Sequence, residues 1–213
     1  MMLLDIGVQI ILVSISGVFS PGPLFFVNLV LSKHGGFWSG IKIAIGHTIV
    51  ELPVIILYSI PVIIFSSLNV TFSIIRIISF VGGISLIAFG ILYVVKTLTK
   101  DDNHPYIIKR PAIRNPVLVG IIFTGANPFF FLWWFSVGFK LIADSVVSLG
   151  YPFGVVFLFL VHIWLDYAWL GFTSFLASRG IKLINLHYHK LVIVLLTVPL
   201  FYYGINFIFS AIK

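Results

Sequence analysis

The chain has 213 residues, of which 60% are hydrophobic and only 9% are charged, and its mean hydropathy is +1.17. A soluble domain carries about 25% charged residues, so this composition excludes a water-soluble globular fold. The net charge of +7 comes mostly from residues between apolar runs. It therefore indicates membrane topology and contacts with anionic lipid, not nucleic acid. The absence of cysteine excludes disulfides, thiolate metal sites and iron–sulfur clusters.

Apolar runs divide the chain into candidate membrane helices, since a spanning helix needs about 20 apolar residues. The six candidates are 4–31, 40–66, 72–98, 116–142, 151–178 and 189–212. A polar linker, 99–115, separates a first half at 1–98 from a second half at 116–213. The N-terminal run has no basic region before it and no small-residue cleavage site, which predicts a retained helix. The predicted fold class is an all-α integral membrane protein with six transmembrane helices in one membrane domain.

Basic residues in the loops predict the orientation, because cytoplasmic loops carry an excess of Lys and Arg. Ten of the 13 basic residues lie in or beside the odd-numbered loops. These ten are Lys33, Lys42, Lys96, Lys100, Lys109, Arg110, Arg114, Arg179, Lys182 and Lys190. We therefore expect a multi-pass protein of the plasma membrane, with the linker in the cytoplasm and both termini outside.

Three features recur in the same order in the two halves. Proline occurs within SPGPLFF (20–26) of helix one and ANPFFF (126–131) of helix four. A His-x-x-x-acid pattern occurs at 47–51 and again at 162–166, and glycine lies near the end of helices three and six. Because each half has an odd number of helices, the second half is inverted relative to the first. This predicts the 3+3 inverted repeat of many secondary transporters.

Each recurring His–acid pattern places an imidazole and a carboxylate on one helix face, since residues i and i+4 are neighbours. The pairs are His47 with Glu51 and His162 with Asp166. A charge at the bilayer centre costs roughly 2.5–3.5 kcal/mol on insertion scales, so the pairs predict an ion, proton or substrate path near the midplane. The alternative is structural, in which each pair joins parts of its own helix or two neighbouring helices.

The prolines predict helix breaks, because proline removes a backbone donor and clashes with the preceding turn. The expected breaks are at Pro21, Gly22 and Pro23 in helix one and at Asn127 and Pro128 in helix four. Irregular backbone at membrane depth lines a cavity or is buried in protein, and broken-helix N-termini favour a carboxylate. A kink needed only for packing is the alternative.

Aromatic and charged residues of helix four carry weaker signals. The aromatic residues at 129–131, with Trp133 and Trp134, are expected to face lipid or to pack, and an aromatic cage is the alternative. Lys140 and Asp144 are four residues apart near the outer end of the helix. They are expected to form a solvated surface pair.

The segments SPGPLFFVNLVLSKHGGFWSGIKIAIGHTIVE and GIIFTGANPFFFLWW resemble the LysE-type translocators, the family of lysine and homoserine/threonine exporters. The resemblance extends over essentially the whole chain in the order and number of helices. It implies export of amino acids or related small solutes driven by an ion gradient. By that resemblance, the translocation path is shaped by Pro21, Gly22, Pro23, Asn127 and Pro128.

One departure from the family leaves the substrate open. Small or apolar residues are usual in the amino-acid exporters where this chain has its two His–acid pairs. Related families of the superfamily move divalent metal ions, and two histidines with two carboxylates suit Mn²⁺ or Zn²⁺.

The leading hypothesis is an ion-coupled exporter that works by alternating access, with Glu51 and Asp166 binding and releasing protons. His47 and His162 would assist them or take protons themselves, because histidine titrates near neutral pH. The second hypothesis is a divalent metal-ion transporter with these four residues as ligands.

A third hypothesis is a membrane-embedded metalloenzyme, since such a site can activate water. It is disfavoured because the chain lacks a His-Glu-x-x-His motif, a serine elbow and a phosphate-binding loop, and the protein is not expected to be an enzyme. No cofactor is expected beyond a proton or ion gradient, with a divalent metal as the alternative. The expected partners are a small-molecule solute and the lipid bilayer, without nucleic acid, and a homodimer is left open.

Overall fold

The computed structural model describes residues 2–19, 22–67, 71–98, 113–180 and 186–212. Every regular element in these ranges is a helix. The α-helices are α1 (Met2–Val18), α2 (Pro23–Ser67), α3 (Thr71–Leu98), α4 (Pro116–Gly125), α5 (Pro128–Trp133), α6 (Phe139–Leu149), α7 (Phe153–Ser178) and α8 (Leu186–Ile212). Helix α2 consists of two helical segments joined by a kink at Gly36, where φ is 54°. A π-helical turn, Trp134–Gly138, joins α5 to α6.

Several of these helices are long and apolar enough to cross a membrane. Three such segments are Gly35–Ile64, Pro128–Leu149 and Phe153–Ser178. A fourth candidate is the pair Leu3–Val18 and Pro23–Ser32, whose axes are bent by 72°. Shorter apolar helical stretches are Ser79–Leu92, Pro116–Gly125 and Phe201–Ile212.

The predicted class is therefore confirmed as an all-helical membrane protein. The count of six spans and the division into halves at 1–98 and 116–213 stay predictions. Most of the proposed linker, residues 99–112, lies outside the described residues.

Helix α2 packs along α7 and α4, and α3 packs along α8. Glycines allow the backbones of α2 and its neighbours to touch. A methyl group on Gly46 would lie 2.1 Å from a carbonyl oxygen of α4, and one on Gly40 would lie 2.1 Å from the Leu170 carbonyl oxygen of α7. Gly120 faces Gly46 across the first crossing. Because His47 follows Gly46, this crossing fixes where one predicted site residue lies.

A buried network of neutral polar groups joins the start of α2 to α7. The Asn28 amide donates to the Leu170 carbonyl at 3.1 Å and to the Thr173 hydroxyl at 3.0 Å. The Ser174 hydroxyl donates to Asn28 Oδ1 at 2.8 Å, and the hydroxyls of Ser32 and Ser174 are also hydrogen-bonded. This network satisfies a buried amide without placing a charge between the helices.

The largest apolar core lies on one side of these crossings. Its buried members include Ile6, Ile10, Val13, Ile55, Val137, Leu141, Ile142 and Leu158. In α1 these residues come before the bend, and in α2 they come after Glu51. Trp134 belongs to this core and contacts Glu51 and His162, so the predicted site residues lie at its edge.

Candidate functional site

The predicted break in the first helix is present. Helix α1 ends at Val18 and α2 begins at Pro23, with Gly22 outside both helices. Pro21 lies outside the described residues. The first predicted span therefore consists of two helices set at an angle.

The predicted break in the fourth helix is present as well. Helix α4 ends at Gly125 and α5 begins at Pro128. The side chain of Asn127 caps α5 by accepting a hydrogen bond from the Phe129 N–H at 3.1 Å. Because proline at the first helical position needs no hydrogen-bond acceptor, the Asn-Pro sequence ends one helix and starts the next.

The four predicted ionisable residues meet in one buried cluster. Glu51, only 1% exposed, has its Oε1 at 3.2 Å from Nε2 of His47 and 3.1 Å from Nε2 of His162. Asp166 is buried beside them, and its carboxylate oxygens lie 3.7 Å from Nε2 of His47 and 3.5 Å from Nε2 of His162. The structure thus brings together two sequence motifs that are more than 100 residues apart.

Each imidazole is held from its other side by a hydroxyl group. His47 Nδ1 lies 2.8 Å from Thr124 Oγ1 of α4, and His162 Nδ1 lies 2.7 Å from Ser14 Oγ of α1. An ionised carboxylate only accepts hydrogen bonds, so Nε2 of each ring donates to Glu51 when that residue is ionised. In a neutral imidazole Nδ1 then accepts the hydroxyl proton, and this pair of contacts fixes both the tautomer and the ring orientation.

The two carboxylates differ in their hydrogen bonding. Glu51 Oε1 also accepts the indole N–H of Trp134 at 3.2 Å. Glu51 Oε2 and Asp166 Oδ2 are buried, with no hydrogen-bond partner among the described residues. A buried acceptor without a donor costs about 1–3 kcal/mol, so these two oxygens are the most favourable places for an incoming proton or cation. From the sequence, Trp134 is expected to pack or to face lipid, and its bond to Glu51 is missed, because nothing in the sequence shows which of two adjacent indole N–H groups points at the acid.

A cavity of about 370 Å³ lies beside the cluster. Small-molecule sites have volumes of about 300–1,000 Å³, so a small solute fits. Seven of the predicted site residues line it: His47, Glu51, His162, Asp166, Gly22, Pro23 and Asn127. Pro128 starts α5 directly after Asn127 and is not among the described lining residues.

Aromatic side chains form much of the cavity wall. Its described members are Phe25, Phe89, Phe129, Phe130, Trp133, Trp134 and Trp169. Trp133 and Trp134 are buried and pack against the ring of His162 at centroid distances of 5.8 and 5.1 Å. These two tryptophans therefore pack in the interior and also line the cavity, so the alternative of an aromatic cage stays open.

The expectation of a solvated pair at Lys140 and Asp144 is wrong. Lys140 is only 6% exposed, and its ammonium group contacts the Asp144 carboxylate. The ammonium also lies 4.7 Å from the centre of the Phe207 ring of α8, and Asp144 accepts a hydrogen bond from Gln9 of α1 at 2.8 Å. Lys140 is buried and Asp144 is partly buried because α1 and α8 cover this face of α6.

Comparison with known proteins places this arrangement among membrane translocators. The sequence model of the family described as LysE type translocator matches residues 15–211. The match covers both helix breaks and both His–acid motifs. A search of curated proteins and a search of solved structures each returned no significant match.

Proposed function

Because the chain belongs to the LysE type translocator family, we propose that it exports amino acids or related small solutes in exchange for an ion, by alternating access. The observation that carries this proposal is the meeting of two His–acid motifs and two helix breaks at one cavity. Ionisable residues inside a membrane protein typically mark substrate and proton paths. Members of this family are transporters, which favours transport over the metalloenzyme alternative.

The chemistry of exchange follows from two buried carboxylate oxygens that accept no hydrogen bond from the described residues. Glu51 Oε2 and Asp166 Oδ2 offer one buried site for positive charge. An ammonium group of the solute and a proton both need these oxygens, so binding of one disfavours binding of the other. Solute leaving on one side and a proton entering on the other would couple the two movements. His47 and His162 adjoin both acids and can pass the proton between them.

The hydrogen bonds of the two imidazoles support an inverted repeat. His47 lies in the second predicted span and is hydrogen-bonded to the Thr124 hydroxyl in the fourth. His162 lies in the fifth predicted span and is hydrogen-bonded to the Ser14 hydroxyl in the first. A two-fold axis that exchanges the halves would convert one contact into the other. In transporters with inverted repeats, rocking of one half against the other exposes the shared site to each side in turn.

Reconstituted liposomes test the proposal. Vesicles loaded with a mixture of basic, neutral and hydroxy amino acids should lose particular solutes when a pH gradient is imposed. Glu51→Gln and Asp166→Asn should reduce this efflux to the level of vesicles without protein, because each removes a carboxylate from the site. Asp5→Asn is the matched control, since Asp5 is an exposed acid of α1. Parent-like efflux in both site variants would refute the proton-exchange mechanism.

Divalent metal transport is the second candidate, and one observation favours it. Ligand atoms of His47, Glu51 and Asp166 all lie within 4.8 Å of one another, and imidazole with carboxylate suits Zn²⁺ or Mn²⁺. Metal analysis of the purified protein and uptake of each ion into vesicles separate the candidates. Stoichiometric metal that is lost in His47→Ala, together with metal transport, would replace the leading proposal.

We also propose that the protein lies in the plasma membrane with both termini outside, from the distribution of basic residues. Because the chain has no cysteine, a single cysteine at either terminus can be labelled selectively. A membrane-impermeant thiol reagent should label both positions in intact cells. Labelling only after lysis would show that both termini lie in the cytoplasm.

A further inference from the structure

Two tryptophans at the cavity have buried indole N–H groups without a hydrogen-bond partner among the described residues. They are Trp133 and Trp169, and both line the cavity. Trp134, which lines the same cavity, donates its N–H to Glu51. An indole N–H can only donate, and a buried donor without an acceptor is unfavourable. The two side chains thus offer donors to an acceptor that the protein itself does not supply.

The N–H edge of Trp133 lies against the end of α1. A methyl group on Gly17 would be 3.1 Å from Cε2 and 3.3 Å from Nε1 of Trp133. Gly17 also lines the cavity. The absence of a side chain at Gly17 therefore leaves space beside this N–H, one residue before α1 ends at Val18.

The ring of Trp169 is held at the same break. It stacks on Phe19 at a centroid distance of 4.4 Å and on Phe25 at 5.8 Å, with interplanar angles of 20° and 14°. One phenylalanine follows the end of α1 and the other belongs to the first turn of α2, so the broken helix fixes this indole. Helix α2 begins at Pro23, and the positive end of its dipole favours an anion at this point.

We infer that the break in the first helix binds the carboxylate of the solute through the indole N–H groups of Trp133 and Trp169. The ammonium group of the same solute binds to Glu51 and Asp166. This inference rests on the proposed function and narrows the substrate class to zwitterionic amino acids with an uncharged, apolar side chain.

The side-chain class follows from the lining of the cavity. Glu51 and Asp166 are the only acids among its described lining residues, and in this proposal both contact the ammonium group. The remaining wall is mainly aromatic and aliphatic. A second positive charge on the solute would therefore have no described counter-charge, whereas an apolar side chain would bury its surface against the rings.

The indole N–H groups recognise a carboxylate. A divalent cation has no such group, and neither has an amine from which the carboxylate has been removed. Either could bind the acids, but it would leave both N–H donors without an acceptor. A hydrogen bond to a charged group changes affinity by about tenfold or more. The protein should therefore bind leucine more tightly than 3-methylbutylamine, which is leucine without its carboxylate. Lysine tests the effect of a second positive charge on the solute, and it should bind less tightly than leucine.

The experiment measures competition in proteoliposomes that carry out leucine counterflow. The probes are unlabelled leucine, lysine and 3-methylbutylamine, and the measured quantity is the concentration of each that halves the signal. Trp133→Phe and Trp169→Phe keep an aromatic ring but remove the N–H. Trp164→Phe is the matched control, because Trp164 lies on α7 like Trp169 and is 50% exposed. Thermal unfolding of each variant reports whether it folds.

The parent and the Trp164→Phe control should prefer leucine to the amine by about 100-fold, since two such hydrogen bonds are made, and each single site variant should lose about tenfold of this preference. Gly17→Ala gives a second test, because its methyl would cover the N–H of Trp133 while both tryptophans remain. Unchanged preference in folded Trp133→Phe and Trp169→Phe would overturn the inference but not transport itself. Lysine bound better than leucine would overturn the assigned class, and parent vesicles that move no amino acid would refute the proposed function.

Discussion

Substitution of Gly120 by alanine should separate two helices at the site. A methyl group on Gly120 would lie 2.2 Å from the Ile43 carbonyl oxygen and 2.9 Å from Gly46 Cα, both on α2. Backbone atoms cannot rotate away as a flexible side chain can. Helices α2 and α4 must therefore move apart by about 1 Å to restore an ordinary van der Waals distance.

This movement has two costs. Forcing an extra methyl group into a packed contact costs about 1–3 kcal/mol. The hydrogen bond between His47 Nδ1 and Thr124 Oγ1, now 2.8 Å, would lengthen to about 3.8 Å if the helices separate along it, which is beyond a hydrogen bond. We expect Gly120→Ala to unfold about 5 °C or more below the parent. Transport should fall by about 10- to 100-fold, because a shift of 1 Å misplaces a functional group.

Thermal unfolding in detergent and solute efflux from liposomes measure the two effects. Gly125→Ala is the matched control, since it adds the same methyl group to the same helix at a position with nothing within 4 Å. Alanine also favours the helix over glycine, so this control should be as stable and active as the parent. Equal stability and equal efflux of Gly120→Ala and Gly125→Ala would show that α2 and α4 do not touch at this glycine.

Three further predictions concern other buried polar contacts. Lys140→Met and Asp144→Leu should each cost about 3–5 kcal/mol of unfolding free energy, because each leaves one charge of the pair without its partner. The double change should cost less than the sum of these two single changes in a double-mutant cycle. Asn28→Ala should lower the unfolding temperature by several degrees, whereas Asn206→Ala, at an exposed amide, should leave it unchanged. Thr124→Val removes the hydroxyl that orients one imidazole, so efflux should fall by about tenfold while the protein stays folded; parent-like efflux would mean that this orientation is unimportant.

Sequence reasoning located the helix breaks and the ionisable cluster for local physical reasons. Proline at position 23 or 128 cannot donate a helical hydrogen bond, which favours the start of a new helix there, although Pro53 and Pro61 lie inside α2. The spacing of His47 and Glu51 fixes a shared helix face whatever the tertiary structure is. Intramembrane charge then predicts that such a face turns inward.

The burial of Lys140 depends on a feature that residue spacing does not reveal. A π-helical turn at Trp134–Gly138 holds one more residue than an ordinary turn. Since each residue of an α-helix rotates the chain by about 100°, the turn changes which face of α6 points toward α1 and α8. From the place of Lys140 and Asp144 near the outer end of the helix, the sequence predicts exposure to solvent, whereas Gln9 of α1 and Phe207 of α8 contact the pair.

The difference between Glu51 and Asp166 also lies outside any sequence pattern, because the two motifs are alike. In the structure Glu51 Oε1 lies within 3.2 Å of both imidazole Nε2 atoms and of the Trp134 indole nitrogen. A carboxylate oxygen has only two lone-pair directions, so three donors on one oxygen saturate it, and no imidazole Nε2–H remains for an equally close bond to Asp166. In this arrangement of the helices Asp166 is therefore the less well bonded of the two acids. The unsatisfied acid is the one at which an incoming cation gains most, which makes Asp166 the position where loss of the carboxylate should weaken solute binding more than it weakens the fold.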